Sequence, residues 1–136
     1  ESVAFIKRLV GLPGDEIAVR GGILHINDKP VLRQHADVGT ATDGVRVMKY
    51  DDYVETLPEG STHNIREMTD GGMLDNTRSF VVPEGHFFMM GDNRDGSQDS
   101  RFFGPVSEDL LVGRAVITLF GWDGYWPSWA RLGRWL

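Results

Sequence analysis

Glu16-Ile-Ala-Val-Arg20, Gly21-Gly22 and Ile23-Leu-His-Ile26 form two short, largely apolar runs on either side of a glycine pair. A two-residue Gly-Gly link between such runs predicts a β-hairpin, because glycine supplies the positive φ values that match the twist of paired strands. Immediately upstream lies Phe5-Ile-Lys-Arg-Leu-Val-Gly-Leu-Pro-Gly-Asp15. As a strand it puts Val3, Phe5, Lys7 and Leu9 on one face and Ala4, Ile6, Arg8 and Val10 on the other. Lys7 therefore projects from an apolar face; the ordinary alternative is a lysine that snorkels from a strand edge. Leu12-Pro13-Gly14-Asp15 reads as a tight turn, with proline presetting φ at the second position and glycine supplying positive φ at the third.

Downstream, the chain continues as short strands and turns. Asn27-Asp28 can turn it into Pro30-Val-Leu32, whereas residues 33–44 are polar and carry no clear period. Val45 to Tyr50 is a plausible strand, and Glu55-Thr-Leu57 and His63-Asn-Ile-Arg66 flank a Pro58-Glu-Gly60 turn. Asp70-Gly-Gly72 marks a break. The apolar pattern resumes at Phe80-Val-Val82, the Pro83-Glu-Gly85 turn and His86 to Met90, and Leu110 to Phe120 is apolar enough for one more long strand. No internal repeat or long amphipathic helix is evident. The fold is expected to be mostly β: residues 1–32 and 80–121 form a discontinuous core, residues 33–79 an inserted smaller β cap, and residues 122–136 a Trp-rich tail.

The run Gly91-Asp-Asn-Arg-Asp-Gly-Ser-Gln-Asp-Ser-Arg-Phe-Phe-Gly104 follows the apolar His86–Met90 directly. Its first eleven residues hold two Arg and three Asp beside Asn, Gln and Ser. Such a loop can lock into one shape through Asp–Arg pairs and side-chain bonds to backbone, although a solvated turn is the common outcome for clusters of this kind.

The lysine segment and the polar loop together closely resemble bacterial type I signal peptidase, the membrane-anchored Ser/Lys protease that removes secretory signal peptides. Ile6-Lys7-Arg8 with Gly11-Leu-Pro-Gly-Asp15 is similar to the family's lysine-bearing box. Gly91-Asp-Asn-Arg-Asp95, Ser97 and Asp99-Ser-Arg101 are similar to its C-terminal box. Glu55-Thr-Leu-Pro-Glu-Gly60 with His63, Asp75-Asn-Thr77 and Val82-Pro-Glu-Gly-His86 also follow family habit. The resemblance spans roughly residues 3–120 and implies a signal-peptidase-like β core. One departure stands out: the family's nucleophilic serine lies in a box upstream of the lysine, and the sequence before Lys7 holds no such box. Ser2 has the wrong spacing and lacks the Ser-Met-x-Pro context, so it is not assigned as nucleophile. The chain is expected to be inactive alone.

What the resemblance implies chemically suits these residues. A serine hydroxyl is a poor nucleophile until a base removes its proton, and a lysine can do so only when neutral. An unperturbed lysine titrates near about 10.4, and bringing one near pH 8 amounts to roughly 3 kcal/mol, which desolvation on the Val3/Phe5/Leu9 face would supply. Guanidinium stays protonated, so Lys7 and not Arg8 is the expected base. Ser97, Asp99 and Arg101 alternate and would share one side of an extended segment. Ser97 is expected to orient the Lys7 amine. Asp99 and Arg101 are expected to pair with each other, or with Arg8 and Asp92, and to hold the loop against the lysine strand. The implied substrate is a secretory preprotein's extended signal peptide with small residues before the cut, in the A-x-A pattern, which would add as a strand to an exposed edge.

Composition sets the outer limits. At 136 residues the chain is one domain's worth, and 40% apolar with 25% charged residues marks a globular protein. A net charge of −6 argues against a nucleic-acid surface. Without cysteine there are no disulfides or thiolate metal sites, and His25, His35, His63 and His86 show no metal-ligand spacing, so no metal or cofactor is expected. No apolar run is long enough to span a bilayer; the resemblance implies the outer, periplasmic face of a bacterial inner membrane. All four Trp lie among the last fifteen residues, with Tyr125, Arg131 and Arg134 among them. Such a mixture suits a lipid interface, with closure of the core as the alternative. Two other classes remain: a non-catalytic β module that binds extended peptides, and a cytoplasmic self-cleaving Ser/Lys relative.

Overall fold

The computed structural model describes residues 4–42, 44–68, 71–118, 121–123, 126–128 and 134–135. Strand β1 (Arg8–Gly11) leads through the Pro13-Gly14 turn into β2 (Glu16–Arg20) and β3 (Ile23–Ile26). Gly14 takes φ +90°, and Asp15 N–H donates to Leu12 O at 3.0 Å, as a type II turn requires. Gly21 and Gly22, at φ 56° and 76°, close the expected hairpin with Arg20 opposite Ile23. A short β4 (Lys29–Pro30) follows, then two long strands, β5 (Leu32–Thr42) and β6 (Val47–Thr56), and β7 (Thr62–Glu67). Next come β8 (Phe80–Val81), β9 (His86–Met90), the one-turn helix α1 (Ser100–Phe103) and β10 (Val106–Ser107).

Three sheets position the site: β1-β9-β10, β4-β3-β2-β8 and β5-β6-β7. The first two share one core, because Val10, Phe88 and Met90 from one pack with Ile17, Val19, Leu24, Ile26 and Phe80 from the other. Apolar burial of this kind contributes about 25 cal/mol per Å² and is the main force holding the sheets together. The protein is mostly β, as the sequence predicts, and among the described residues the longest helix is α1.

Two expectations fail here. Residues 33–44 show no strand period, yet they lie almost wholly in β5, which pairs with β6 from Leu32–Thr56 to Thr42–Val47. Most of β5 is solvent-exposed, so burial leaves no alternating signature on it. Its side chains pack laterally: Arg33 sits 4.5 Å over the Tyr53 ring, and His35 meets that ring edge-on at 5.3 Å. The long strand expected over Leu110 to Phe120 is also absent from its described part. Ser107 Oγ accepts from Asp109 N–H and caps a 3-10 turn at Glu108–Leu110. Residues 111–116 are exposed and without regular structure, and only β11 (Ile117–Thr118) is a strand. In the tail, β11 pairs with β14 (Arg134–Trp135), and β12 (Gly121–Asp123) with β13 (Trp126–Ser128). The tryptophan side chains on which the lipid reading depends lie outside the described residues, as do Ser2 and Val3.

Candidate active site

Strand β9 delivers the chain to Gly91, and the polar loop folds back beneath it. Lys7, one residue before β1, donates from Nζ to Ser97 Oγ at 2.7 Å. The lysine is half-buried and Ser97 is 7% exposed. A Cβ at Gly91 would overlap the Ser97 hydroxyl and stand 3.6 Å from Lys7 Nζ, so this position admits only glycine. The apolar face expected around the lysine differs, however. The strand begins at Arg8, and Phe5 and Leu9 are 76% and 37% exposed. The amine bonds the Ser97 hydroxyl, and Leu9 from that face lines the same groove as the lysine. This groove, of about 780 Å³, has an apolar floor that includes Leu9, Leu57, Met89 and Leu111.

Asp99 and Arg101 pair with each other. Arg101 donates from Nε to Asp99 Oδ1 at 2.9 Å and from its terminal nitrogen to Oδ2 at 2.8 Å, with both side chains essentially fully buried. They do not lie on one side of an extended segment, as alternation predicts, because Asp99 is the N-cap of α1 and Arg101 is within its turn. The Asp99 carboxylate also accepts from the backbone N–H groups of Gly91 and Arg101. Burial alone would raise its pKa, but the hydrogen bonds from Arg101 and Gly91 outweigh that and hold it below the usual carboxylate range. Ser100 Oγ accepts from Met89 N–H, which ties the start of α1 to β9. Arg8 and Asp92 form a second, bidentate pair at 2.8 and 2.9 Å, nearer to solvent, and the Asp92 hydrogen bond raises the Arg8 pKa further. Together these pairs attach the loop to the lysine strand and to itself.

Sequence reasoning left Arg94, Glu55 and His63 without roles. Arg94 donates two hydrogen bonds to Glu55, at 3.1 and 2.5 Å, and His63 Nε2 donates to the same carboxylate at 3.1 Å, all with side chains at least 96% buried. A usable signal existed. Once Arg8–Asp92 and Asp99–Arg101 are paired, Arg94 and its sequence neighbour Asp95 are the loop charges left over, and a buried Arg94 needs a carboxylate from the loop or from another strand. Burial pushes Glu55 up, and the His63 hydrogen bond and the Arg94 charge more than reverse it.

A different carboxylate group stands at the far end of β7. Glu67, Asp75 and Asp95 place one oxygen each within 4.8 Å of one another, a spacing that could hold a cation. Much of this charge already has partners: Arg33 reaches Glu67 at 3.3 Å, Gly71 and Gly72 N–H donate to Asp75, and Met68 N–H donates to Asp95. The other histidines serve locally or at the surface: His25 and His86 bond nearby carbonyls, and His35 bonds Asp51. No helix among the described residues is long and apolar enough to cross a membrane.

Comparison with known proteins gives a consistent picture. The family profile described as "Signal peptidase, peptidase S26" matches residues 1–121. Signal peptidase I of Rickettsia typhi is 38% identical over 132 residues, covering 92% of this chain and 49% of that protein. Signal peptidase I of Rickettsia akari is 42% identical over 132 residues, with 92% and 48% covered. The chain thus spans about half the length of these curated relatives. Among solved structures, a signal peptidase I from Enterococcus faecalis V583 aligns with a TM-score of 0.41 and 29% identity, over 79% of this chain and 78% of that one.

Proposed function

The chain belongs to the signal peptidase family, peptidase S26, and from that premise we propose that it forms the lysine-bearing part of a Ser/Lys endopeptidase that removes signal peptides from secreted proteins. The observation that carries this reading is the 2.7 Å contact from Lys7 Nζ to Ser97 Oγ at the edge of an open apolar groove. Lys7 is the general base. Ser97 is its orienting partner and not the nucleophile, because a hydroxyl that is 7% exposed and packed under Gly91 offers no approach to a peptide carbonyl. The nucleophile is a serine on an upstream segment, as the family resemblance implies. Neutral Lys7 takes that hydroxyl's proton as the oxygen bonds to the scissile carbonyl carbon. The ammonium then returns the proton to the leaving amine, and a water activated by the same base releases the acyl group. Arg8, Asp92, Asp99 and Arg101 hold the strand and loop in register and stay outside the proton path.

The substrate is an extended peptide with small residues before the cut. Strand β1 is at the edge of its sheet and runs beside the groove, which supports docking by strand addition. The division into a discontinuous core and a cap over residues 33–79 is likewise our reading, supported by the separate β5-β6-β7 sheet and the return of β8 to β2. The site faces the outer side of the inner membrane, with the Trp-rich tail on lipid; unchanged tryptophan emission on titration with anionic vesicles would remove the lipid contact. The test of the activity compares this chain with one extended upstream through a serine box, on a signal-peptide substrate. The extended protein should cleave, and Lys7→Ala and Lys7→Arg should each abolish cleavage without unfolding it. The short chain should be inactive. Lys7-dependent turnover by the short chain would mean that the nucleophile lies within these residues.

A further inference from the structure

We propose that Glu55 is a positioning residue of the Lys7 site, acting at a distance through Arg94 to hold Ser97 against the lysine amine. The inference rests on the reading of Lys7 as the base. It starts from how the loop is mounted. After Gly91 the chain runs parallel to the free edge of β7: Arg66 N–H donates to Asp92 O and Arg94 N–H donates to Arg66 O, both at 2.8 Å. Backbone pairing of this kind fixes a line but leaves the far half of the loop free to swing. Arg94 removes that freedom. Its guanidinium reaches Glu55 on β6, where His63 Nε2 already holds the carboxylate, so the anchor is a rigid, desolvated fork.

From this anchor the bonds lead back to the lysine. The Arg94 carbonyl accepts from Arg101 at 2.5 Å, Arg101 holds Asp99, and Asp99 Oδ2 accepts from Gly91 N–H. Ser97 thus stands between two fixed points, Arg94 and Asp99, and its hydroxyl has no freedom to follow a wandering amine. Arg94 Nε and His63 Nδ1 are buried without a partner among the described residues, so the Glu55 oxygens are the only described side-chain acceptors holding either group. A buried cation hydrogen-bonded to one carboxylate is acutely sensitive to that carboxylate. Loss of Glu55 should release Arg94, let the loop shift, and misplace Ser97 without touching any reacting atom.

The test uses an active enzyme that carries this domain with its serine segment. Glu55→Gln keeps the shape and removes the charge. It should lower kcat by about 10-fold or more with KM within about twofold, since small misplacements near a base are expensive in rate and not in binding. On a Ser97→Ala background the same change should lower kcat by less than about threefold, because both losses pass through one hydrogen bond. If Glu55→Gln does not fold, the double variant Glu55→Leu with Arg94→Met, which leaves neither charge unpaired, should fold and show the same loss of kcat. Wild-type kcat in a folded variant, or losses that multiply in the Ser97→Ala background, would overturn the proposal and leave Glu55 a purely structural residue. Lys7→Ala is assayed alongside: if it still cleaves, the reading of the base has failed, whereas an inactive Lys7→Ala beside a fully active Glu55→Gln defeats only the inference about Glu55.

Discussion

Glu55 and Glu67 lie near opposite ends of the β6–β7 ladder, Glu55 opposite His63 and Glu67 opposite Asp51, and their carboxyls are driven in opposite directions. Both are buried, at 1% and 8% exposure, and both face arginine. Glu55 is held below the usual carboxylate range even though burial is the largest single influence on it, because His63 and Arg94 together outweigh that burial. Glu67 is pushed up to about 7: burial is again the largest cause, and the attraction of Arg33, at one long contact, and of the more distant Arg94 charge is offset by Asp95 and Asp75. Desolvation is common to the two. What separates them is the number and geometry of their donors, and the better-served carboxylate is the one attached to the loop that carries Ser97.

The most severe way to break this contrast is to remove the Glu55 donor. Arg94→Met should destabilise the fold by about 3–5 kcal/mol at pH 7, because it leaves a buried carboxylate without its fork. Urea unfolding across pH checks the cause. In the native protein the lowered pKa of Glu55 means a stabilising contribution that is present above the ordinary carboxylate range and lost as pH falls through the folded value. In the variant, Glu55 has lost that preference, so the gap between the two proteins should narrow in acid. An equal deficit at pH 4 and pH 7 would assign the loss to packing. Asp99→Ala and Arg101→Ala should behave like Arg94→Met, and for the same reason, since they share one buried pair.

Glu67 predicts the reverse sign. A carboxyl whose folded pKa lies near 7 gives stability that is complete below the ordinary carboxylate range and is lost as pH rises through about 7. Glu67→Gln stays neutral throughout. It should match the native protein near pH 4 and exceed it at pH 8 by about 1–3 kcal/mol, read from chemical unfolding at both values. A variant that is weaker than the native protein at pH 8 would show that the ion pair with Arg33 outweighs the repulsion from Asp75 and Asp95.

How far the sequence carried the fold and the site follows the range of the forces involved. The Pro13-Gly14 turn and the Gly21-Gly22 hairpin were legible because their geometry is set by neighbouring residues. The loop from Gly91 was legible as one that pairs with itself, because its Asp and Arg residues crowd into one stretch, and Asp99 and Arg101 do pair. The strand β5 was hidden because its faces are mostly wet and its partner Tyr53 lies well down the chain. Glu108 and Asp109 were legible as turn charges, and Ser107 caps the turn they begin; the strand expected after them was misread because residues 111–116 are apolar in part yet exposed. Arg94 was visible in the motif, but its carboxylate is 39 residues away, and no local rule connects Glu55 to it. The same limit applies to Lys7, whose hydrogen-bond partner Ser97 lies 90 residues away in sequence.

The smallest expected effect is at Arg20 and Asp28, and it sharpens the comparison because the distance there is as short as in the buried pairs. Arg20 donates to Asp28 Oδ1 at 2.7 Å, against 2.8 Å between Arg101 and Asp99. Contact length therefore predicts equal importance for the two. Solvent predicts otherwise, since the Arg20 and Asp28 side chains are 51% and 71% exposed and both ions keep most of their hydration when the pair opens. Water screens the attraction, and holding two long side chains together opposes it entropically, so exposed pairs contribute about 0–1 kcal/mol. Arg20→Ala should leave the unfolding midpoint nearly unchanged in low salt, and raised salt should erase any remaining difference. Asp28 also adopts φ 62° in the turn, so the substitution is made at the arginine to keep backbone strain out of the measurement. A loss from Arg20→Ala comparable to that from Arg101→Ala would mean that proximity, and not desolvation, decides which of these ion pairs hold the molecule together.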